Sequence, residues 1–305
     1  MVNPAEHTYF NEVQKRGVSI AIKEFAKYLK NISGTCMDVG CGPGDITNNM
    51  LLPSLDSNAV MIGTDINMDM IKYATETYYH NTRLKFEVLD IQTKNLPEKF
   101  ISKFNHIFSF HTLQWCNDIR KAFENLYRML QSGGTILIFF PASHDTIYEV
   151  LKNIAQDSRF ASYLQVNIYW SYLFVFICNF LIKILFIIFS QDPNKYISPF
   201  YNSVAPNEEL KDLLESVGFN IHHCSLREID FSDINADIFL SSIMSICSFL
   251  DAMSPKQKEE FIVEFRREYK NYKSKLYDNN KHDGKKAPIL DIHKLLVAYA
   301  QKGEQ

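Results

Sequence analysis

The residues able to do chemistry cluster early in the chain. Met37-Asp38-Val39-Gly40-Cys41-Gly42-Pro43-Gly44-Asp45 is followed, one helix length later, by Val60-Met61-Ile62-Gly63-Thr64-Asp65. Gly40, Gly42 and Gly44 remove side chains from the turn after a first strand, so backbone can approach a bulky ligand. Asp65, closing a second strand, offers the acceptors that a ribose diol needs. Together these features point to a nucleoside ligand.

Glycine spacing narrows the choice. A dinucleotide fingerprint reads G-x-G-x-x-G around a pyrophosphate. Here the spacing is G-x-G-x-G, and Asp38 stands two positions before the first glycine. An anion there repels a pyrophosphate but suits a ligand carrying an ammonium and a sulfonium, namely S-adenosyl-L-methionine.

Alternating strands and helices must position these groups. Residues 84–91 read as a third strand ending at Asp90, and 105–110 as a fourth ending before His111. Residues 67–79 carry an apolar face behind an Asn cap, and 118–130 carry another, with Gly133-Gly134 expected to end that second helix. A strand follows over 135–140. This alternation predicts an α/β fold, a mainly parallel sheet with helices on both faces. Ligands bind such sheets beyond the carboxyl ends of the strands, where Gly40, Asp65, Asp90 and His111 all fall.

The pattern resembles the class I methyltransferases, and three further stretches narrow the resemblance. Tyr9-Phe10-Asn11-Glu12-Val13-Gln14-Lys15-Arg16 is similar to the opening helix of the juvenile hormone acid methyltransferases of arthropods. Phe108-Ser109-Phe110-His111-Thr112-Leu113-Gln114-Trp115 is similar to their fourth-strand motif, and Tyr196-Ile197-Ser198-Pro199-Phe200-Tyr201 to a third signature. The resemblance implies a Rossmann-like seven-stranded sheet with an α-helical cap, and methyl transfer to the carboxylate of a sesquiterpenoid acid such as farnesoic acid or juvenile hormone acid. It implies that Gln14 and Trp115 hold that carboxylate. It places Asp38, Gly40, Gly42, Gly44, Asp65, Ile66, Asp90, Ile91 and His111 around the donor, with Ile66 and Ile91 flanking the adenine.

Elementary chemistry is consistent with this class. A carboxylate is already ionised at neutral pH, so its methylation needs no general base. The task reduces to holding an anion in line with a sulfonium, and Gln14 and Trp115 both offer neutral N–H donors. His111 is then a structural or ligand-facing histidine rather than a base. Two other readings stay open: a methyltransferase of another small-molecule acid or a phenol, and a membrane-associated protein that keeps the cofactor fold without turnover.

Composition points to an enzyme of the cytoplasm. The formal net charge is −3 and the basic residues are dispersed, so there is no nucleic-acid footprint. The six cysteines show no C-x-x-C or metal-ligand spacing, and reduced thiols are expected. His222-His223 is expected on opposite faces of one strand, without a metal. No secretion signal is apparent at the N-terminus. One methyltransferase domain over 1–305 is expected: a donor-binding core at 30–141, helical cap segments at 142–165 and 231–275, and a last strand over 288–300. The oligomeric state is not encoded in any motif.

One stretch does not fit. Residues 168–189 are apolar except for Ser171, Asn179 and Lys183, long enough to be read as a membrane span. A single crossing would strand the later sheet strands on the far side of the bilayer. A monotopic anchor, an insert folded on the domain and a retained intron over 166–191 remain as readings. The intron reading explains the edges: Val166-Asn167 must be encoded GTNAAY, Gln191 can be encoded CAG, and 26 codons preserve frame.

Overall fold

In the computed structural model of the 305-residue chain, residues 4–143, 145–164, 198–231, 236–279 and 292–303 are described. The hydrophobic insert, Tyr196-Ile197 of the third signature, and 288–291 of the expected last strand lie outside them. Contacts divide the chain into two units, one comprising 1–143, 198–246 and 290–305, the other 144–197 and 247–289.

The first unit is built on seven strands: β1 Thr35–Val39, β2 Val60–Asp65, β3 Leu84–Val88, β4 Phe104–Phe110, β5 Leu130–Ser143, β6 Phe219–Asp230 and β7 Ile292–Lys302. Their order is β3-β2-β1-β4-β5-β7-β6. The pairs from β3 through β5 are parallel, whereas β7 runs antiparallel to both β5 and β6, so the sheet is mixed. The middle of β5 is a continuous apolar run. Ile136, Leu137, Ile138, Phe139 and Phe140 are all buried, as expected of a strand covered on both faces.

Helix caps fall where the residue types place them. Helices α1 Pro4–Phe10, α2 Glu12–Glu24 and α3 Ala26–Leu29 precede the sheet; α4 Met68–Thr77 and α5 Ile119–Met129 lie between its strands. The Asn67 side chain accepts from the amides of Asp69 and Met70, and Asp118 caps α5 by accepting from Lys121 N at 2.9 Å. The α5 face made by Ala122, Phe123, Leu126 and Met129 enters the core.

The expected stop at Gly133-Gly134 is corrected. Helix α5 ends at Met129, and Leu130 is already extended, fully buried and paired with Phe104. Regular pairing resumes only at Thr135 with His106, so the two glycines sit in an irregularity of β5. Carbonyls left free at the helix end are taken up by Lys302, whose Nζ donates to Tyr127 O at 3.0 Å and Leu130 O at 2.9 Å. A cation from the end of the chain therefore substitutes for a glycine cap.

In the same unit, α8 Pro206–Val217 precedes β6, and α9 Ala236–Ile246 follows it. A register shift between Ile221 and His223 breaks the alternation expected at His222-His223. His222 lies against Tyr299 and His223 against Phe25, whose rings are themselves 6.1 Å apart.

The second unit contains α6 Asp145–Ile154, α7 Ala161–Leu164 and α10 Pro255–Asn279. Its core is aromatic: Phe160, Phe249 and Phe265 each pack on Phe261 with ring centroids 5.4 to 5.8 Å apart. No helix among the described residues is long and apolar enough to cross a membrane.

Candidate active site

The glycine turn is held open by its neighbours. Amides of Gly40 and Cys41 both donate to Thr64 O, at 2.7 and 2.9 Å, tying the end of β1 to β2. A Cβ on Gly40 would collide with the Thr112 side chain at 1.9 Å, so packing alone demands glycine there. Gly42 is different. A Cβ there would meet only the His7 ring, with Nε2 at 3.8 Å, so space permits a side chain and the positive φ of 53° is what favours glycine.

Two carboxylates flank this turn. Asp38 is 3% exposed and accepts a 2.6 Å hydrogen bond from Thr47 Oγ1. Burial pushes its carboxyl up to about 7, against the lowering effect of Thr47 and helped by the charge of Asp65. Asp65 accepts the amide of Gly42 at 3.0 Å and that of Asn67 at 2.8 Å. Burial raises its pKa too, while those backbone bonds oppose the rise. Each Asp65 oxygen keeps a lone pair for a further donor. A buried carboxyl with no cation beside it among the described residues, next to bare backbone, is chemistry that fits an ammonium-bearing nucleoside.

The N-terminal helices meet this turn. A single opening helix was expected over 9–16, but the helix breaks at Asn11 into α1 and α2. Asn11, 1% exposed, does not cap α2 with its side chain. Its Nδ2 instead donates to both oxygens of Asp45, at 3.1 and 3.0 Å. Lys15 Nζ lies 3.2 Å from Asp45 Oδ2 and donates to Thr8 O at 3.0 Å. Gln14 is half-buried on α2, one turn after Asn11 and one turn before Gly17.

Gly17 brings α2 against the end of β4. Its Cβ position lies 2.8 Å from Phe139 Cε1 and 2.9 Å from His111 Nε2. His111 has a positive φ of 55°, and its amide donates to Phe139 O at 2.8 Å. Its ring meets Phe139 edge to face at 5.2 Å. Burial, with a smaller contribution from His293, pushes its pKa down to about 3, so the imidazole is neutral. Trp115, half-buried, closes a short 3-10 turn four residues on, its amide donating to Thr112 O at 3.0 Å. Gln114 fixes that turn by donating from Nε2 to His111 O at 2.7 Å.

The adenine-side residues divide by exposure. Ile66 is 65% exposed beside Asp65, while Ile91 is 6% exposed and part of the apolar core. Asp90 accepts from Gln92 N at 2.9 Å, forming a turn rather than capping a helix. A separate cleft of about 400 Å³ opens along the flank of α2, lined by Arg16, Ile20, Glu24, Phe139 and Arg227–Asp230. None of the expected site residues lines it, and Arg227 there is paired with Glu24 at 2.5 Å.

Sequence reading missed Asn11, Lys15, Asp45, Gln114 and Thr112. Asp45 was visible as the residue closing the glycine run, but its partner lies 34 positions away with no spacing rule to reveal it.

Comparison with known proteins agrees with this geometry. Residues 31–183 match the family described as Methyltransferase domain. The juvenile hormone acid O-methyltransferase of Drosophila melanogaster is 30% identical over 300 residues, covering 97% of this chain and 91% of that protein. The enzyme of the same name from Bombyx mori is 25% identical over 297 residues, covering 96% and 94%. The crystal structure of the MccD protein shares the fold, with a TM-score of 0.52 at 14% identity over 94% of this chain and 98% of that one. The chain thus belongs to the juvenile hormone acid O-methyltransferase family of class I methyltransferases, with S-adenosyl-L-methionine as its methyl donor.

Proposed function

We propose that this enzyme esterifies the carboxylate of a sesquiterpenoid acid of the farnesoic acid or juvenile hormone acid type, in the cytoplasm. The observation that carries the reading is similarity across 97% of the chain to a juvenile hormone acid O-methyltransferase. When bound, S-adenosyl-L-methionine supplies the electrophilic methyl group.

The chain's own residues hold and orient. Asp38 takes the donor's ammonium and Asp65 its ribose, while Gly40, Gly42 and Gly44 bring backbone close. Asp90, Ile66 and Ile91 line the adenine side, and His111 borders the donor from the end of β4. Gln14 and Trp115 hold the acid through neutral N–H donors, which orient an anion without tying up the attacking oxygen as a guanidinium would.

An acid is favoured over a phenol by the state of His111. A phenol, with a pKa of about 10, must lose a proton to react. An imidazole pushed down to about 3 is a poor acceptor for it. The test is kinetic: Gln14→Ala and Trp115→Phe should raise KM for the acid and lower kcat, leaving the affinity for S-adenosylhomocysteine unchanged. Unimpaired turnover in both variants would remove these residues from the acid site.

A further inference from the structure

Asp45 ends the glycine run, and its carboxylate is bonded to the N-terminal helices. It is 3% exposed, both its oxygens accept from Asn11 Nδ2, and Lys15 supplies its counter-charge at 3.2 Å. The two hydrogen bonds from Nδ2 to the carboxylate fix the Asn11 amide with Oδ1 buried and without a partner among the described residues. Lys15 also reaches back to Thr8 O, fastening α1 to α2. On α1, His7 stands over the open side of Gly42. One buried carboxylate therefore joins three things: the donor turn, the helix above that turn, and the first turn of the helix that carries Gln14.

We propose that Asp45 is a positioning residue that fastens α1 and the start of α2 onto the donor turn, so that retention of the donor and alignment of the acid depend on the same buried carboxylate. The alignment half rests on the reading of Gln14 given above; the retention half does not. Asp45 touches neither reacting atom. It acts through Asn11 and Lys15, and its local partners are all neutral or cationic.

The pairing can be reversed, which separates positioning from bulk stability. In Asp45→Asn the ion pair and one acceptor are lost, and in Asn11→Asp two carboxylates face each other. In the double variant an amide again meets a carboxylate, and Lys15, four residues after position 11, can still pair with it. The measurement is the release rate of S-adenosylhomocysteine from the full-length protein by stopped flow, with thermal melting alongside. Each single variant should release the product at least about ten-fold faster, and the double variant should return to within about three-fold of the wild type. A double variant no slower than the faster single, or single variants with unchanged release, would overturn the proposal.

If either single variant fails to fold, Lys15→Met carries the test, because Lys15 is about one-third exposed. Release should again quicken, and an unchanged rate would overturn the proposal. No acid takes part in this measurement, so a wrong acceptor leaves its outcome intact. Quickened release with unimpaired acid turnover would instead count against the assignment of Gln14.

Discussion

Gly17 of α2 and His111 at the end of β4 are packed without room for a methyl group between them, the Cβ position on Gly17 lying 2.9 Å from Nε2. This contact sets the helix carrying Gln14 against the turn carrying Trp115. Alanine at 17 would gain about 1 kcal/mol of helix propensity. It would also overpack His111 and Phe139, which costs about 1–3 kcal/mol. The second effect wins because neither neighbour is the loose end of a flexible chain. Gly17→Ala should lower the melting temperature modestly and reduce kcat/KM for the acid by at least about ten-fold, the effect expected of a small misplacement. Melting curves and steady-state kinetics on one preparation would separate the two.

Asp38 gives the donor site a pH dependence with a definite sign. Its carboxyl is held up to about 7 in the folded protein, above its ordinary value of 3.8. As pH rises from about 4 to 7 the unfolded chain loses this proton first, so the ligand-free protein loses stability across that window. Donor binding runs the other way. The ammonium needs the ionised carboxylate, so affinity should fall about ten-fold per pH unit below 7, and it should fall again above about 8 as the donor's amino group loses its proton. Titration calorimetry between pH 5.5 and 8.5 should show this slope in the wild type and its loss in Asp38→Asn.

His111 should not behave as a base. Its positive φ of 55° is one that asparagine tolerates, so His111→Asn removes the imidazole without forcing the backbone. With the donor saturating, kcat of the variant should stay within about ten-fold of the wild type, whereas general-base removal costs about 10²–10⁴-fold. The larger loss would reassign the residue.

The stretch 166–191 makes a prediction about the transcript. If it is a retained intron, amplification across codons 150–210 of native RNA should yield a second product 78 nucleotides shorter, corresponding to the 26 codons. Protein made from that shorter product should be the more soluble. Only full-length product would assign the stretch to the protein itself.

What the sequence disclosed and what it hid follow from range. Asn67 was readable as a cap because a cap is a local bond to amides two or three residues on. The strands β1 to β4 and the ends where Asp65, Asp90 and His111 sit were readable from apolar runs of fixed length. The end of α5 was misread because its carbonyls are satisfied by Lys302, more than 170 residues later. The break at Asn11 was hidden for the same reason: helical periodicity continues through it, and only the distant Asp45 diverts its side chain. Of the three glycines that suggested a ligand, Gly42 is the one with room for a Cβ, facing only His7, while Gly40 yields to Thr112 and Gly44 to Phe86.

Acid methylation is tested most directly by incubating the purified protein with S-adenosyl-L-methionine labelled in its methyl group and a panel of acceptors. The panel holds farnesoic acid, juvenile hormone acid, straight-chain fatty acids and a phenol. Labelled methyl ester should form from one or both sesquiterpenoid acids, with little from the phenol. Efficient methylation of another acceptor, with no ester from either sesquiterpenoid acid, would contradict the assignment.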